Sequence, residues 1–307
     1  MIDFSYKVAV ERVLRLYPRT PAAFVYLLAG CLPASATLHL KQLSLLGMVA
    51  RQGPTAILHR YATFILSNPP ATGRTISSSP WFIHLRHLCS QYNLPDPLQV
   101  LSAPPTKAQW KSTCTRLVLS FWGAKLRTDV SALPSLSHLR QSHMSLTTPS
   151  SLLTSCRDRG EEVRKLTVQT RMLSGRYRTC WLRRHWSGDT SGLCRVPGCI
   201  DTPGTLLHLA AGKCPGLAAA TADAAAYWAK FVLSHPHLSP ILSMYAESDA
   251  NTFLAFLLDP SVQAPVLSLA GQLGSSVVDE LCHLTRTWLY QHHRARYRAL
   301  GLWEYLV

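Results

Sequence analysis

Acidic residues are scarce in this chain. Its 307 residues carry 16 Asp plus Glu against 31 Lys plus Arg, and no two aspartates stand side by side. Metal-dependent nucleotidyl transfer needs clustered carboxylates to hold its cations. The only adjacent acids, Glu161-Glu162 and Asp279-Glu280, fall on patterns that read as exposed helix. There is no Walker loop, no Gly-x-Ser-x-Gly elbow and no His-Glu-x-x-His pair. With no set of acid, base and nucleophile, the chain reads as non-catalytic. Long apolar runs are missing too. The longest, Pro21 to Leu32, falls short of the ~20 residues that span a bilayer, so neither a transmembrane segment nor a membrane partner is expected. Neither strand-like alternation nor an internal repeat emerges. The opening MIDFSYKVAVERVL has no secretory leader and starts inside an amphipathic pattern, which reads as a piece cut from something longer.

These absences shape what remains. Charged residues make up only 15% of the chain, so the formal charge of +15 arises from missing acids. An excess of that size calls for an anionic partner; for soluble basic proteins nucleic acid is the commonest and anionic membrane surfaces come second, and nucleic acid is the partner expected here. Nine cysteines without a leader point to a reducing, intracellular compartment where thiols stay free or bind metal.

Helical periodicity fills most of the chain. Val8, Val10, Val13, Leu14 and Leu16 share a stripe that Pro18 ends. Thr20 and Pro21 start a nearly all-apolar helix stopped by Gly30, and Pro33 opens a third helix carrying Leu38, Leu40, Leu43, Leu45 and Leu46. Residues 68–80 form a polar, proline-rich joint. In the helix that follows, His84 and His87 share a face near Cys89. A second metal site is conceivable there, but no fourth donor has ligand spacing and the face reads as packing. His39 and His59 read as surface or internally satisfied histidines.

A long helix over 106–130 sets Trp110, Leu117, Val118, Phe121 and Trp122 in a core, and 131–155 reads as irregular. The last helix is expected as one run from about Pro265 to Leu300. Leu281, Leu284, Trp288 and Leu289 are its packing face, Arg286, Arg294, Arg296 and Arg298 a cationic rim, and His292 and His293 part of the solvated end. Cys31, Cys89, Cys114, Cys156 and Cys282 read as core thiols.

The chemistry concentrates between Cys194 and Cys214, as Cys-x4-Cys-x8-His-x5-Cys. Three thiolates and an imidazole, Cys194, Cys199, His208 and Cys214, are a ligand set that suits one tetrahedral structural zinc ion. Gly198 and Gly212 let the backbone fold toward bound sulfur, and Thr205 or Thr202 can cap a short helix bearing His208. The competing reading is buried thiols beside a surface histidine. Just upstream lies a basic, aromatic stretch. Arg171, Arg176, Arg178, Arg183, Arg184 and, inside the clip, Arg195 suit phosphate contacts, while Tyr177, Trp181 and Trp186 suit stacking on unpaired bases. The competing reading there is a solvated helix with Leu166, Leu173 and Leu182 turned to the core.

The segment TVQTRMLSGRYRTCWLRRHWSGDTSGLCRVPGCIDTPGTLLHLAAGKCPGL resembles the cysteine-histidine region near the carboxyl end of non-LTR, LINE-type retrotransposon polyproteins, downstream of the reverse transcriptase. LAGCLPASATLHLKQLSLLGMVAR, LPSLSHLRQSHMSLTTPSSLLTS and LTRTWLYQHHRARYRALGLW are similar to family segments in the same order. The resemblance implies a zinc-binding module that contacts RNA or DNA during target-primed reverse transcription, on Cys194, Cys199, His208 and Cys214. It also implies an upstream polymerase domain as a further partner, and a location in nucleus and cytoplasm. Family members commonly have four residues between the last His and Cys and an acid before the His. Here there are five, and Leu207. His185 or Cys180 are the alternative ligands.

The expected fold is therefore mainly α: irregular helical bundles with a small Cys/Cys/His/Cys zinc clip inserted between helical halves. The expected divisions are a helical bundle over 1–67, a linker with a helical segment over 68–155, basic helices and the zinc knuckle over 156–216, and a C-terminal helical region over 217–307. A helical protein-interaction scaffold and a retroelement remnant without function are the alternatives.

Overall fold

The computed structural model describes residues 2–68, 80–139, 145–156, 160–179 and 191–302. Among these the chain is mainly α, and its only β pairing is an isolated antiparallel bridge between Leu193 and Pro203. Two compact units emerge, Met1–Tyr6 with Leu32–Leu126, and Lys7–Cys31 with Arg127–Val307. This grouping differs from the four expected stretches, because residues 7–31 belong with the C-terminal half of the chain. No local pattern carries that pairing. Helix α1 (Ile2–Val13) is divided between the units and α2 (Ala22–Ala29) belongs to the second.

The first unit contains α3 (Ala34–Arg51), α4 (Ile57–Ser67), α5 (Pro80–Gln91), α6 (Pro97–Ser102) and most of α7 (Lys107–Ser131). Leucines at helical spacing on α3 and α5 meet at its centre, where Leu43, Leu46, Leu85 and Leu88 are buried with Val118 and Trp110. Asp96 caps α6 through the Leu98 amide, with Pro97 at the first helical position. Trp110 donates its indole N–H to the Leu43 carbonyl at 2.7 Å, against the backbone of α3. That approach needs Gly47, where a Cβ would stand 2.2 Å from Trp110 Cδ1. Gly47→Ala is expected to displace the indole and cost about 2–3 kcal/mol, seen as a lower urea midpoint at unchanged slope.

Two histidines of this unit are satisfied internally. His59 is buried with Nε2 on the Leu101 carbonyl at 3.2 Å, and His39 Nδ1 meets Tyr92 Oη at 2.7 Å. The rings of His84 and His87 lie 6.4 Å apart, and no metal-ligand group of three donors forms around them among the described residues. Burial pushes the Cys89 and Cys114 thiols up to about 12. They are core thiols, as expected.

The second unit adds α8 (Ser151–Thr154), α9 (Gly160–Leu173), α10 (Leu206–Ala210), α11 (Ala218–Ser234), α12 (Ser239–Ala246), α13 (Ala250–Leu258), α14 (Ala264–Leu273) and α15 (Ser276–Ala299). The expected single last helix is thus two. Gly274 takes φ +101°, which interrupts the helical backbone between α14 and α15. Leu281, Leu284, Trp288 and Leu289 are buried as expected, with Trp288 edge-on to Phe253 and Trp228.

The polar side of α15 corrects the sequence reading. Arg286 is wholly buried and Arg296 nearly so, and only Arg294 and Arg298 of the expected rim are exposed. His292 and His293 are buried too. His292 joins the Trp288 carbonyl to Thr221 Oγ1, and His293 Nδ1 meets Tyr177 Oη at 2.9 Å. Glu162, read as exposed, is buried beside Arg286. Cys31 and Cys156 are half-buried rather than core. Among the described residues, no single helix is long and apolar enough to cross a membrane.

Candidate metal centre

The clip begins with paired backbone. Around the Leu193–Pro203 bridge, the Cys194 amide donates to the Thr202 carbonyl at 2.8 Å and the Gly204 amide to Gly192 at 2.9 Å. This closes residues 192–204 into a tight hairpin-like loop that brings Cys199 back over Cys194. Thr205 then caps α10, its hydroxyl accepting from the His208 amide at 3.2 Å. Capping fixes the helix start and with it the direction of the His208 ring. Gly212, at φ +72°, turns the chain after α10 so that the five residues between His208 and Cys214 span the gap. Trp288 ties the loop to α15 by donating its indole N–H to the Ala210 carbonyl at 2.9 Å.

The four donors converge. Their ligand atoms all lie within 4.8 Å of one another. Cys199 Sγ stands 3.1 Å from Cys214 Sγ and 3.5 Å from His208 Nε2, and Cys194 Sγ stands 4.0 Å from Cys214 Sγ. A tetrahedral ion with metal–sulfur bonds near ~2.3 Å and metal–nitrogen bonds near ~2.0 Å sets sulfur–sulfur edges of ~3.8 Å and sulfur–nitrogen edges of ~3.5 Å. The observed separations bracket those edges, and the shortest is well beyond the ~2.05 Å of a disulfide. The donor set therefore fits a metal ion. Among the described residues no other group of three or more His, Cys, Asp or Glu side chains converges in this way.

Backbone amides complete the electrostatics. Burial pushes the Cys194 thiol up, against the Val196 amide that favours its thiolate. Burial also raises Cys199, but the Gly216 amide and the two neighbouring thiols outweigh it and hold that group below its ordinary value. Cys214 is pushed up by burial and by Cys199. Burial lowers His208, which keeps the imidazole neutral and its nitrogen lone pair available. Gly216 is a residue that sequence reasoning missed. A Cβ there would stand 2.1 Å from the Pro197 carbonyl oxygen, so only glycine lets this backbone lie against the first ligand loop.

The expected nucleic-acid residues separate into groups. Arg195 is exposed on the loop between the first two ligands. Arg178 is exposed, with its guanidinium 5.3 Å from the Tyr17 ring centre. Arg171 covers the same ring at 4.6 Å and donates Nε to the Arg15 carbonyl at 3.0 Å. Tyr17 was not singled out in the sequence, and its 154-residue distance from Arg171 leaves no local signal. Arg176 is half-buried, its Nε shielded from solvent and without a hydrogen-bond partner among the described residues.

Tyr177 is a correction. It is buried with its hydroxyl on His293 and Arg296 over its ring at 5.4 Å, so it is packed into the core and not displayed for stacking on a base. Trp181, Arg183, Arg184 and Trp186, with Cys180 and His185, lie outside the described residues.

Fold and site together define a class: a mainly helical chain in which a Cys₃His group able to hold a metal ion lies between helical segments. No family model, curated protein or solved structure matches the chain.

Proposed function

We propose that this chain is the non-catalytic, zinc-stabilised nucleic-acid-binding region of a LINE-type retrotransposon reverse transcriptase polyprotein, assisting the binding of template RNA or target DNA. The observation that carries the reading is the convergence of Cys194, Cys199, His208 and Cys214 in a loop that also displays Arg195. Thiolates with an imidazole select zinc over the hard, oxygen-seeking cations, and four protein donors leave no open position for water. The ion's role is structural: it would hold the loop's backbone in place. The charge of +15 supports an anionic partner, and the resemblance supplies the remainder, an upstream polymerase domain and an intracellular life in nucleus and cytoplasm.

The test is a titration of single-stranded RNA and duplex DNA across a range of salt, comparing the zinc-loaded chain with an Arg178→Ala/Arg195→Ala variant. Each phosphate contact contributes roughly 0.7–0.9 to the slope of log affinity against log salt, so the double variant should lose about 1.5. An unchanged affinity and slope would sink the reading. Tight binding to the polymerase domain with only weak, nonspecific nucleic-acid binding would favour a scaffold, and neither activity a remnant.

A further inference from the structure

A groove of about 530 Å³ lies between α3 and α7 in the first unit. On α3 it is lined by Thr37, Lys41, Ser44, Met48 and Arg51, a stripe at alternating spacings of four and three that follows one helix face for ~21 Å. Lys107, Lys111 and Cys114 continue the same spacing on α7, with Trp110 beside them. The floor is apolar. Leu40 and Met48 line it, Met48 being 46% exposed, together with Trp110, whose N–H is already used on Leu43, and Cys114, which burial keeps as a neutral thiol.

The rim is cationic on both walls: Lys41 and Arg51 on α3, Lys107 and Lys111 on α7, all exposed. No carboxylate among the described residues pairs with any of the four. The two acids of this unit are engaged elsewhere. Asp3 accepts from the Ser35 amide, and Asp96 caps α6 and pairs with Arg86.

We propose that this groove docks an acidic amphipathic helix from a partner protein. Such a helix carries large aliphatic side chains along one stripe and carboxylates on either flank, which matches an apolar floor between two cationic walls. Met48 supplies a deformable contact, and Ser44, Thr37 and Thr115 are small enough to admit incoming side chains. A nucleic-acid strand fits less well. Its phosphates would be desolvated over a largely apolar floor, and its bases would find no open aromatic face on which to stack.

The test uses the full zinc-loaded chain and a fluorescent peptide of about 15 residues, long enough to follow the groove. The peptide has leucine at i, i+3 and i+7 and glutamate on the flanks. Saturable binding is expected, and a lysine-for-glutamate version should not bind. Lys107→Glu/Lys111→Glu, on exposed positions, should weaken the complex about tenfold, ~1.4 kcal/mol, with helicity and thermal midpoint unchanged. Ser44→Glu should weaken it as well.

Failure of the glutamate peptide to saturate, equal binding of the lysine peptide, or unweakened binding by Lys107→Glu/Lys111→Glu would overturn the proposal. It would also fall if a single-stranded oligonucleotide or dodecanoate displaced the peptide and bound more tightly at the same four cations. These residues are separate from Arg178 and Arg195, so this result and that of the salt titration fail independently.

Discussion

Treating the zinc-loaded chain with a strong chelator is expected to lower its thermal midpoint by about 10 °C and to open residues 192–217 to trypsin at Arg195 and Lys213. The loop has little else to hold it. Its β pairing is a single bridge, its helix α10 has five residues, and the apolar side chains it buries besides the cysteines are few: Val196, Leu209, Ala210 and Leu217. An isolated helix of that length has no stability of its own in water. Without an ion, three sulfurs and an imidazole nitrogen would share one small volume, and the thiols that burial pushes up would gain nothing in return.

A bound ion reverses that balance. Structural zinc contributes roughly 10–16 kcal/mol of apparent binding energy in small domains, and anything that binds only the folded form stabilises it by mass action. If about 5–6 kcal/mol appears as global stability, a chain of this size shifts by ~1.5–2 °C for each kcal/mol, which gives the expected 10 °C. Elemental analysis should find one zinc per chain, lost in Cys199→Ser and in Cys214→Ser but retained in Cys156→Ser. Folded wild type without zinc, with a melting curve indifferent to the chelator, would refute the metal centre.

How much of this was legible follows from sequence distance. All four ligands sit within 21 residues, and the Thr205 cap and the turns at Gly198 and Gly212 belong to the same segment, so spacing and turn chemistry exposed them together. Gly216 did not show. Its necessity comes from the Pro197 carbonyl, across the loop from it.

The helices were legible where apolar spacing is strong, as on α3 and on the packing face of α15. The break at Gly274 was not, because the periodicity on either side reads as continuous. The deepest misreading concerned charge. Arginine and histidine on α15 looked like a solvated end, yet Arg286, His292, His293 and Arg296 are buried. Composition makes a buried cation improbable, and for Arg286 only its partners at α8 and on α9 make it tolerable.

That burial yields the second large expected effect: Arg286→Met should cost about 3–5 kcal/mol. Arg286 is 0% exposed and its guanidinium is spent on four groups. It donates to the Leu152 carbonyl at 3.1 Å, Ser155 Oγ at 2.9 Å, Glu162 Oε2 at 3.3 Å and Gln169 Oε1 at 3.4 Å. Gln169, also fully buried, passes the network on by donating Nε2 to the Leu257 carbonyl and Thr285 Oγ1. Arg286 thus links α8, α9 and α15, and Gln169 extends the network to α13. Methionine fills much of the space but leaves the acceptors without their donor, and removing one partner of a buried ion pair typically costs that much.

Glu162 provides the control. Burial raises its carboxyl, but Lys165, by hydrogen bond and charge, and His283 outweigh that and hold it below the ordinary range. A carboxylate depressed in the folded state contributes stability that is present above its unfolded value, near ~4.3, and is lost as pH falls through the lower folded value. Wild type should therefore exceed Glu162→Gln in urea midpoint at neutral pH, and the gap should narrow only on the acid side, below about pH 4. The double variant should cost less than the sum of the singles, because one interaction is removed twice. An Arg286→Met loss below about 1 kcal/mol, the scale of an exposed ion pair, would show that the network is incidental to the fold.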